Sequence, residues 1–229
     1  MLVLAFDTAT PAVTAALHDG ERVLAEHTTI DARRHGELLA PTVELVLAEA
    51  RATLRDVTAV VAGSGPGPYT GLRVGLMTAQ GLATTLGVPA YGVCTLDALA
   101  YGSGLGEPFI AATDARRKEV FWARYADLRT RVEGPFVDRP ADVPAEGVPV
   151  IGAGADLYRD VLPARGAEAP PYPYAGALAA LAAERLAAGV PLDPPRPIYL
   201  RRPDAVVPGA PKKVLAPAET RGESKREPA

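Results

Sequence analysis

The chain opens with Leu2-Val3-Leu4-Ala5-Phe6-Asp7-Thr8, a run of five apolar residues that ends on a carboxylate and a hydroxyl. A continuous apolar run of this length is typical of a strand that is buried on both faces. Two further strand-like stretches follow, Val13 to Leu17 and Arg22 to Thr29, with the polar turn His18-Asp19-Gly20-Glu21 between them. The opening of the chain therefore predicts a three-stranded meander, with Asp7 just beyond its first strand.

The same order recurs in the second half of the chain. The apolar run Phe109-Ile110-Ala111-Ala112-Thr113 ends at Asp114. Two stretches with strand character follow it, Glu119 to Tyr125 and Arg131 to Val137. Asp7 and Asp114 thus occupy matching positions, each just past the first strand of a meander.

Helices and further strands continue the parallel between the two halves. The predicted elements are a helix from Glu37 to Leu54, a strand from Val57 to Ala62, a helix from Tyr69 to Leu86, a strand from Val148 to Ile151 and a helix from Ala175 to Ala188. The second half has no clear counterpart of the first helix, because residues 139–147 are irregular and rich in proline.

Three strands, a helix, a strand and a helix, written roughly twice, predict an α/β chain of duplicated ribonuclease-H-like lobes. We expect an N-terminal lobe over residues 1–105 and a C-terminal lobe over residues 106–203. Residues 204–229 combine proline, alanine and charged residues with very few large apolar side chains. Such a segment buries too little apolar surface to offset the entropy of ordering, so we expect a disordered tail.

Composition narrows the classes of function. The net charge is −3, which disfavours strong binding of a nucleic acid by this chain alone. Cys94 is the single cysteine, so no internal disulfide can form, in agreement with a reducing compartment. The N-terminus lacks the pattern of a secretory signal and no apolar stretch is long enough to span a membrane, so we expect a cytoplasmic protein.

Two aspartate-bearing turns suggest a nucleotide site. In a duplicated actin-like fold such turns face each other across a cleft and position a phosphate and its metal ion, and Asp7 with Thr8 and Asp114 with Arg116 could fill these places. Gly152 and Gly154, which follow a predicted strand, could let the backbone approach an adenine or a ribose. The alternative is that both aspartates cap their own turns and that the glycines form a plain turn. The sequence leaves both interpretations open.

Gly63 to Arg73 is the most distinctive stretch, a loop of glycine and proline that leads into the second helix. It has no Gly-Lys-Ser/Thr ending of a Walker loop and lacks dinucleotide-binding spacing, and the residue two before Ser64 is alanine where a nucleophile elbow needs glycine. The helix beyond carries Gly71, Gly75 and Ala79 at steps of four, a small-residue face that another backbone can approach closely. A partner helix and the protein's own sheet or first helix are both open as its neighbour.

Catalytic groups are scarce. The three histidines lie nine and eight residues apart, so no pair has the spacing of two metal ligands on one helical face. Serine, cysteine and histidine form no recognisable nucleophile pattern. These observations predict a chain without catalytic residues.

Six blocks of sequence carry a family pattern that covers residues 1 to about 202. The blocks are Leu4-Ala5-Phe6-Asp7-Thr8-Ala9-Thr10, His35 with Leu38-Leu39-Ala40-Pro41, Gly65-Pro66-Gly67-Pro68-Tyr69-Thr70-Gly71-Leu72-Arg73-Val74-Gly75-Leu76, Thr95-Leu96-Asp97-Ala98-Leu99-Ala100, Asp114-Ala115-Arg116-Arg117-Lys118-Glu119-Val120-Phe121 and Tyr199-Leu200-Arg201. On these blocks the chain resembles the TsaB (YeaZ) family of tRNA threonylcarbamoyladenosine biosynthesis proteins. The family usually has Ser-Phe where this chain has Pro68-Tyr69, which leaves no hydroxyl at position 68.

The resemblance implies an actin-like ATPase (ASKHA) fold and a non-catalytic subunit. It implies pairing with the paralogous catalytic subunit TsaD and a further ATPase partner, TsaE. That complex transfers threonylcarbamoyl to N6 of adenosine 37 in tRNAs that read codons beginning with adenine. Contact with tRNA is then expected only through the complex, and no cofactor is expected beyond weak binding of ATP and Mg²⁺ at a vestigial site.

The two predicted helices of the first half, 37–54 and 69–86, are expected to form the face that meets the catalytic subunit. The residues placed near its centre are Leu39, Val43, Val46, Leu47, Gly71, Leu72, Gly75 and Ala79. A bulky residue at position 75 is expected to break pairing while leaving the fold intact. Without its partner the same face would support a homodimer. The alternative function is a nucleotide-binding ATPase or phosphotransferase that acts on its own through Asp7 and Asp114.

Overall fold

The computed structural model describes residues 1–164 and 169–201. The strands are β1 (Val3–Asp7), β2 (Ala12–His18), β3 (Val23–Ile30), β4 (Ala59–Gly63), β5 (Ala90–Val93), β6 (Phe109–Asp114), β7 (Val120–Asp127), β8 (Thr130–Asp138) and β9 (Val150–Ile151). The α-helices are α1 (His35–Glu49), α2 (Tyr69–Leu86), α3 (Thr95–Gly102), α4 (Ala153–Leu157) and α5 (Ala175–Ala187). The predicted disordered tail, residues 204–229, lies outside the described residues.

The first sheet has the strand order β3-β2-β1-β4-β5. β1 pairs antiparallel with β2 and parallel with β4, which makes it the central strand. Along β1, Leu4 and Phe6 point into the core under α1 and α2, whereas Val3 and Ala5 point to the opposite face under α5. Both faces of β1 are covered, and this explains why its sequence is a continuous apolar run.

The second sheet has the strand order β8-β7-β6-β9 and repeats the meander of the first. β6 pairs antiparallel with β7 and parallel with β9, as β1 pairs with β2 and β4. The place of the first helix is taken by irregular chain and a 3₁₀ turn, Pro140–Asp142. The predicted duplication and its missing helix are therefore confirmed, and the α/β architecture is the duplicated, actin-like one.

Several predicted boundaries differ from the structure. α1 ends at Glu49 rather than at Leu54, because Arg51 adopts a left-handed φ of 55° and the Ala52 N–H bonds back to the Leu47 carbonyl. Pro41 lies inside α1 without breaking it. β5, α3 and α4 were not predicted.

α5 crosses from the second half of the chain to the first sheet. It packs on β1, β2 and β3, and Leu178, Ala179 and Leu181 share a core with Val3 and Ala5. α3 lies at the junction, where Leu96 and Leu99 pack with β6 and β7 of the second sheet. The strands before residue 105 form the first sheet and those after it form the second. The helices do not follow this division, because α3 from the first half packs on the second sheet and α5 from the second half packs on the first.

Within the described ranges, every helix falls short of the length and apolar character that a membrane crossing requires.

Candidate functional site

The turn that follows β1 is held by a buried carboxylate. Asp7 is 1% exposed. Its Oδ1 accepts a hydrogen bond from the Ala9 N–H at 2.6 Å, and its Oδ2 accepts one from the Thr95 hydroxyl at 2.7 Å. The Thr95 oxygen in turn accepts the Gly65 N–H at 3.0 Å. Asp7 therefore ties β1, its own turn, α3 and the loop after β4 into one hydrogen-bonded junction.

Burial governs the protonation of this carboxyl. Removal from water raises the pKa of Asp7 from its ordinary 3.8 to about 6, against the opposing effects of the hydrogen bonds from Thr95 and Ala9 and of the nearby His35. The group is thus poorly suited to be a permanent anion in the fold.

Thr8 links the same turn to the start of α2. Its hydroxyl donates to the Gly71 carbonyl at 2.7 Å and accepts the Gly75 N–H at 3.0 Å, so it lies between two successive turns of the helix. A Cβ at position 71 would lie 2.5 Å from the Thr8 carbonyl oxygen, and one at position 75 would lie 2.7 Å from the Thr8 hydroxyl oxygen. The two helical glycines are required by the β1 turn of the same chain.

The Gly/Pro loop before α2 packs on the β1 turn in the same way. A Cβ at Gly63 would lie 1.7 Å from Asp7 Oδ2, and one at Gly67 would lie 2.2 Å from the Ala9 carbonyl oxygen. The Gly65–Pro66 peptide bond is cis. The sequence showed that this loop is distinctive, but only the fold shows that Gly63 faces Asp7 and that Gly67 faces Ala9.

The geometry at Asp7 does not fit a magnesium ion and a phosphate. Both carboxylate oxygens accept hydrogen bonds from within the chain, and the Thr8 hydroxyl is engaged by α2. A cation that approached Asp7 would have to displace donors that are already in place, in a position closed to water. Within the described part of the chain, no three His, Cys, Asp or Glu side chains are grouped so that they could hold a metal ion.

Asp114 lies at a different place from Asp7. It lines a cavity of about 290 Å³ together with Thr8, and its side chain is 18% exposed. It accepts the Arg116 N–H at 2.8 Å and forms an ion pair with the Arg116 guanidinium at 3.4 Å. The structure thus brings Thr8 and Asp114 to one cavity, whereas Asp7 is buried and does not line it.

Gly152 and Gly154 pack against β6. A Cβ at Gly152 would lie 2.4 Å from the Ala112 carbonyl oxygen, and one at Gly154 would lie 2.9 Å from the Ala112 carbonyl carbon. Both glycines are needed for the close approach of α4 to the strand. This packing accounts for them, and neither lines the cavity that Thr8 and Asp114 share.

The eight residues that were expected to centre the partner face are core residues. All are buried, and most of them pack in the cluster between the first sheet and helices α1 and α2. They are Leu39, Val43, Val46, Leu47, Gly71, Leu72, Gly75 and Ala79. This choice of contact residues is corrected: periodicity identifies the apolar side of a helix, and the apolar side of both helices faces the chain's own sheet. The prediction that the two helices meet a partner is a separate one and stays a prediction.

Tyr69 and Tyr199 belong to separate blocks of the family pattern, but they adjoin in the fold. Their rings stack with centroids 5.6 Å apart at the edge of a cavity of about 540 Å³. Arg201 closes the same region, because its guanidinium donates to the Ala115 carbonyl and pairs with Glu119. These residues are far apart in the chain, so no local pattern could bring them together.

Comparison with known proteins places these features in a family. Residues 22–193 match the sequence profile of the family described as TsaD, tRNA N6-adenosine threonylcarbamoyltransferase. An uncharacterised protein of Mycobacterium tuberculosis is 48% identical over 208 residues, which cover 89% of this chain and 93% of that protein. The tRNA threonylcarbamoyladenosine biosynthesis protein TsaB of Escherichia coli is 40% identical over 128 residues, 55% of each chain.

A solved structure agrees with this match over a longer range. YeaZ from Pseudomonas aeruginosa superposes with a TM-score of 0.75 at 32% identity, and the alignment covers 87% of this chain and 99% of that one. The sequence match to the curated Escherichia coli relative spans about half of its length. The fold, the profile and the relatives agree, and the chain belongs to the TsaB/YeaZ family within the TsaD-type threonylcarbamoyltransferase proteins.

Proposed function

We propose that this chain is the accessory subunit that pairs with a TsaD-like catalytic paralogue and activates it. The complex forms N6-threonylcarbamoyladenosine at position 37 of tRNAs that read codons beginning with adenine. A TsaE-like ATPase joins the pair, and the assembly works in the cytoplasm. Membership of the TsaB/YeaZ family supports this role, because the named relatives are tRNA threonylcarbamoyladenosine biosynthesis proteins.

A non-catalytic role agrees with the chemistry of the β1 turn. Asp7 is buried and engaged, so it is unsuited to hold a metal-bound phosphate. Cys94 is buried and its pKa is raised to about 12 by burial, which leaves an unreactive thiol. The proposed contribution of this chain is a surface for its partner rather than a reacting group.

The observation that carries the partner surface is the outward side of α1 and α2. The helices lie side by side, since a Cβ at Gly36 would lie 4.0 Å from a methyl group of Val74. Leu45 on α1 and Met77 on α2 are each more than half exposed. Gly81, in the middle of α2, is exposed, and a Cβ there would meet nothing within 4 Å.

Within the described fold, no contact requires a glycine at position 81. A glycine in a helix interior costs about 1 kcal/mol relative to alanine. At Gly71 and Gly75 the close approach of Thr8 offsets this cost, but at Gly81 no neighbour does. A partner helix that packs closely on this outward face would account for it. In isolation, the same face would support a homodimer.

The test is co-purification of the full chain with the catalytic paralogue of the same organism. Gly81→Leu should abolish pairing and lower the modified adenosine in cells that lack the native chain, while the isolated variant stays folded. Gly106→Leu is the matched control, because it is also exposed with nothing within 4 Å of its Cβ, but it lies outside α1 and α2. Unchanged pairing of Gly81→Leu would refute this surface. Full modification of position 37 after deletion of the chain would refute the proposed function.

The second candidate is an ATPase or phosphotransferase that acts on its own. The observation in its favour is that Thr8 and Asp114 share a cavity. Calorimetric titration of the isolated chain with ATP and Mg²⁺ distinguishes the two functions. Tight binding with turnover would favour the enzyme, whereas the accessory role requires neither.

A further inference from the structure

Tyr69, at the start of α2, lies where three cavities adjoin. It lines cavities of about 540, 290 and 330 Å³, which together form the cleft between the β1 turn, the β6–β7 turn and residues 195–201. This cleft adjoins the outward face of α1 and α2, because Met77 lines its 330 Å³ part, but its other walls come from the β1 turn, the β6–β7 turn and residues 195–201.

The cleft is rich in arginine, although the net charge of the chain is −3. Five arginines and one aspartate are among its lining residues: Arg33, Arg73, Arg116, Arg117, Arg201 and Asp114. Arg116 pairs with Asp114 and Arg201 pairs with Glu119, yet the arginines still outnumber the carboxylates here, while the chain as a whole is acidic. Net charge disfavoured direct contact with tRNA, but net charge does not describe this surface.

The β6–β7 turn presents its basic side chains at a conformational cost. Arg116, Arg117 and Lys118 have φ values of 60°, 56° and 61°, three consecutive non-glycine residues in the left-handed region. Glycine is the usual residue at such positions, and side chains that persist there are often functional. All three side chains are exposed. The turn is closed by the hydrogen bond from the Ala115 N–H to the Glu119 carbonyl.

An aromatic platform completes the cleft. The rings of Tyr69 and Tyr199 are stacked at an interplanar angle of 24°, yet the two residues are 58% and 48% exposed. The Arg73 guanidinium lies 5.0 Å from the Tyr69 ring centroid. Exposed aromatic faces between arginines are the usual means by which proteins bind single-stranded nucleic acid, with bases on the rings and phosphates on the guanidinium groups.

From this juxtaposition we infer that the cleft binds a single-stranded loop of the tRNA substrate. Arg116 and Arg117 contact backbone phosphates, and a base stacks on the Tyr69–Tyr199 pair. The inference rests on the proposed function for the identity of the RNA. An acidic peptide would also be attracted by the arginines, but it would have no use for the exposed stacked rings. The accessory subunit then shares substrate binding with its catalytic partner.

The test measures binding of a fluorescently labelled stem-loop RNA, with an unmodified adenosine next to the anticodon, to the full chain paired with its catalytic paralogue. Arg116→Gln should weaken binding about fivefold and make the dependence of log K on log salt shallower by about 0.7 for the lost phosphate contact. Tyr199→Leu should weaken binding about fivefold or more and leave the salt dependence unchanged. Arg22→Gln, on the distant β2–β3 turn, should change neither.

The two variants separate the possible occupants. Loss with Arg116→Gln but none with Tyr199→Leu would indicate an anion site for another ligand, such as an acidic peptide, and would overturn the inference. No loss with either variant would also overturn it. Pairing is scored by co-purification on the same samples, so a failure to pair counts against the proposed function. In that event the same variants of the isolated chain, at higher protein concentration, decide the RNA contact.

Discussion

Replacement of Asp7 by asparagine should make the fold more stable at pH 8 and no more stable at pH 4. The carboxyl is 1% exposed, and its pKa is raised from 3.8 to about 6 by burial. Between these two values the unfolded chain releases its proton and the native state keeps it. The stability that this group contributes is therefore complete below pH 4 and is lost as the pH rises through about 6.

The size of the effect follows from the two pKa values. One pKa unit corresponds to about 1.4 kcal/mol, so ionisation of Asp7 lowers the free energy of unfolding by about 3 kcal/mol above pH 7. The amide introduced by Asp7→Asn would keep the oxygen that accepts the Ala9 N–H but would present an NH₂ group to Thr95, whose hydroxyl hydrogen then loses its acceptor. That loss costs about 1 kcal/mol. The expected net gain at pH 8 is about 2 kcal/mol.

The assay is urea denaturation followed by circular dichroism, with the wild type and Asp7→Asn measured in parallel from pH 4 to pH 8. The difference in free energy of unfolding should rise by about 2.5 kcal/mol between the two ends, because at pH 4 the unfolded chain has already released part of this proton. Asp56→Asn is the control with the opposite sign, because hydrogen bonds from Thr53 lower the pKa of Asp56. Asp56→Asn should destabilise the protein throughout this pH range, and the difference should disappear only in a further series below pH 4. A difference for Asp7→Asn that stays constant with pH would refute the reasoning.

Two further predictions concern packing and an ion cluster. Gly75→Ala should destabilise the isolated chain by about 1–3 kcal/mol, since its Cβ would lie 2.7 Å from the Thr8 hydroxyl oxygen. Gly81→Ala, in the same helix, should stabilise the chain by up to about 1 kcal/mol. Equal melting temperatures of the two variants would contradict this. Asp97→Asn should cost about 2 kcal/mol in urea denaturation, because the carboxylate pairs with two partly buried arginines at 3.3 and 3.5 Å and accepts the Tyr125 hydroxyl at 2.9 Å. An unchanged denaturation midpoint would show that the cluster contributes nothing.

The strands and helices that the sequence predicted correctly are mostly those with a clear local pattern. β1 was recognised because five apolar residues in succession need cover on both faces, and α2 was placed where the structure has it because a loop of glycine and proline precedes it. α3 was missed although its sequence was noted, because a helix of eight residues that is buried nearly all round shows no helical period. The place of α5 on the first sheet depends on contacts between distant segments, which no local pattern records.

In the candidate site, too, the sequence predicted local features but not contacts between residues that are far apart in the chain. Steps of four at Gly71 and Gly75 predicted a close approach, and the approach is real. The identity of the neighbour, Thr8, could not be read from spacing, because it lies more than sixty residues earlier in the chain. The pairing of Tyr69 with Tyr199 was hidden for the same reason.

The β1 turn and the proposed partner face are connected through α2. The Thr8 hydroxyl contacts two turns of α2 on its inner side, and the outward side of the same helix carries Met77 and Gly81. The turn that would face a phosphate in a nucleotide-binding relative thus sets the position of a helix in this chain. It follows that loss of the Thr8 hydroxyl should weaken pairing with the catalytic subunit without removing any atom from the interface, because the inner support of α2 fixes where its outer face lies.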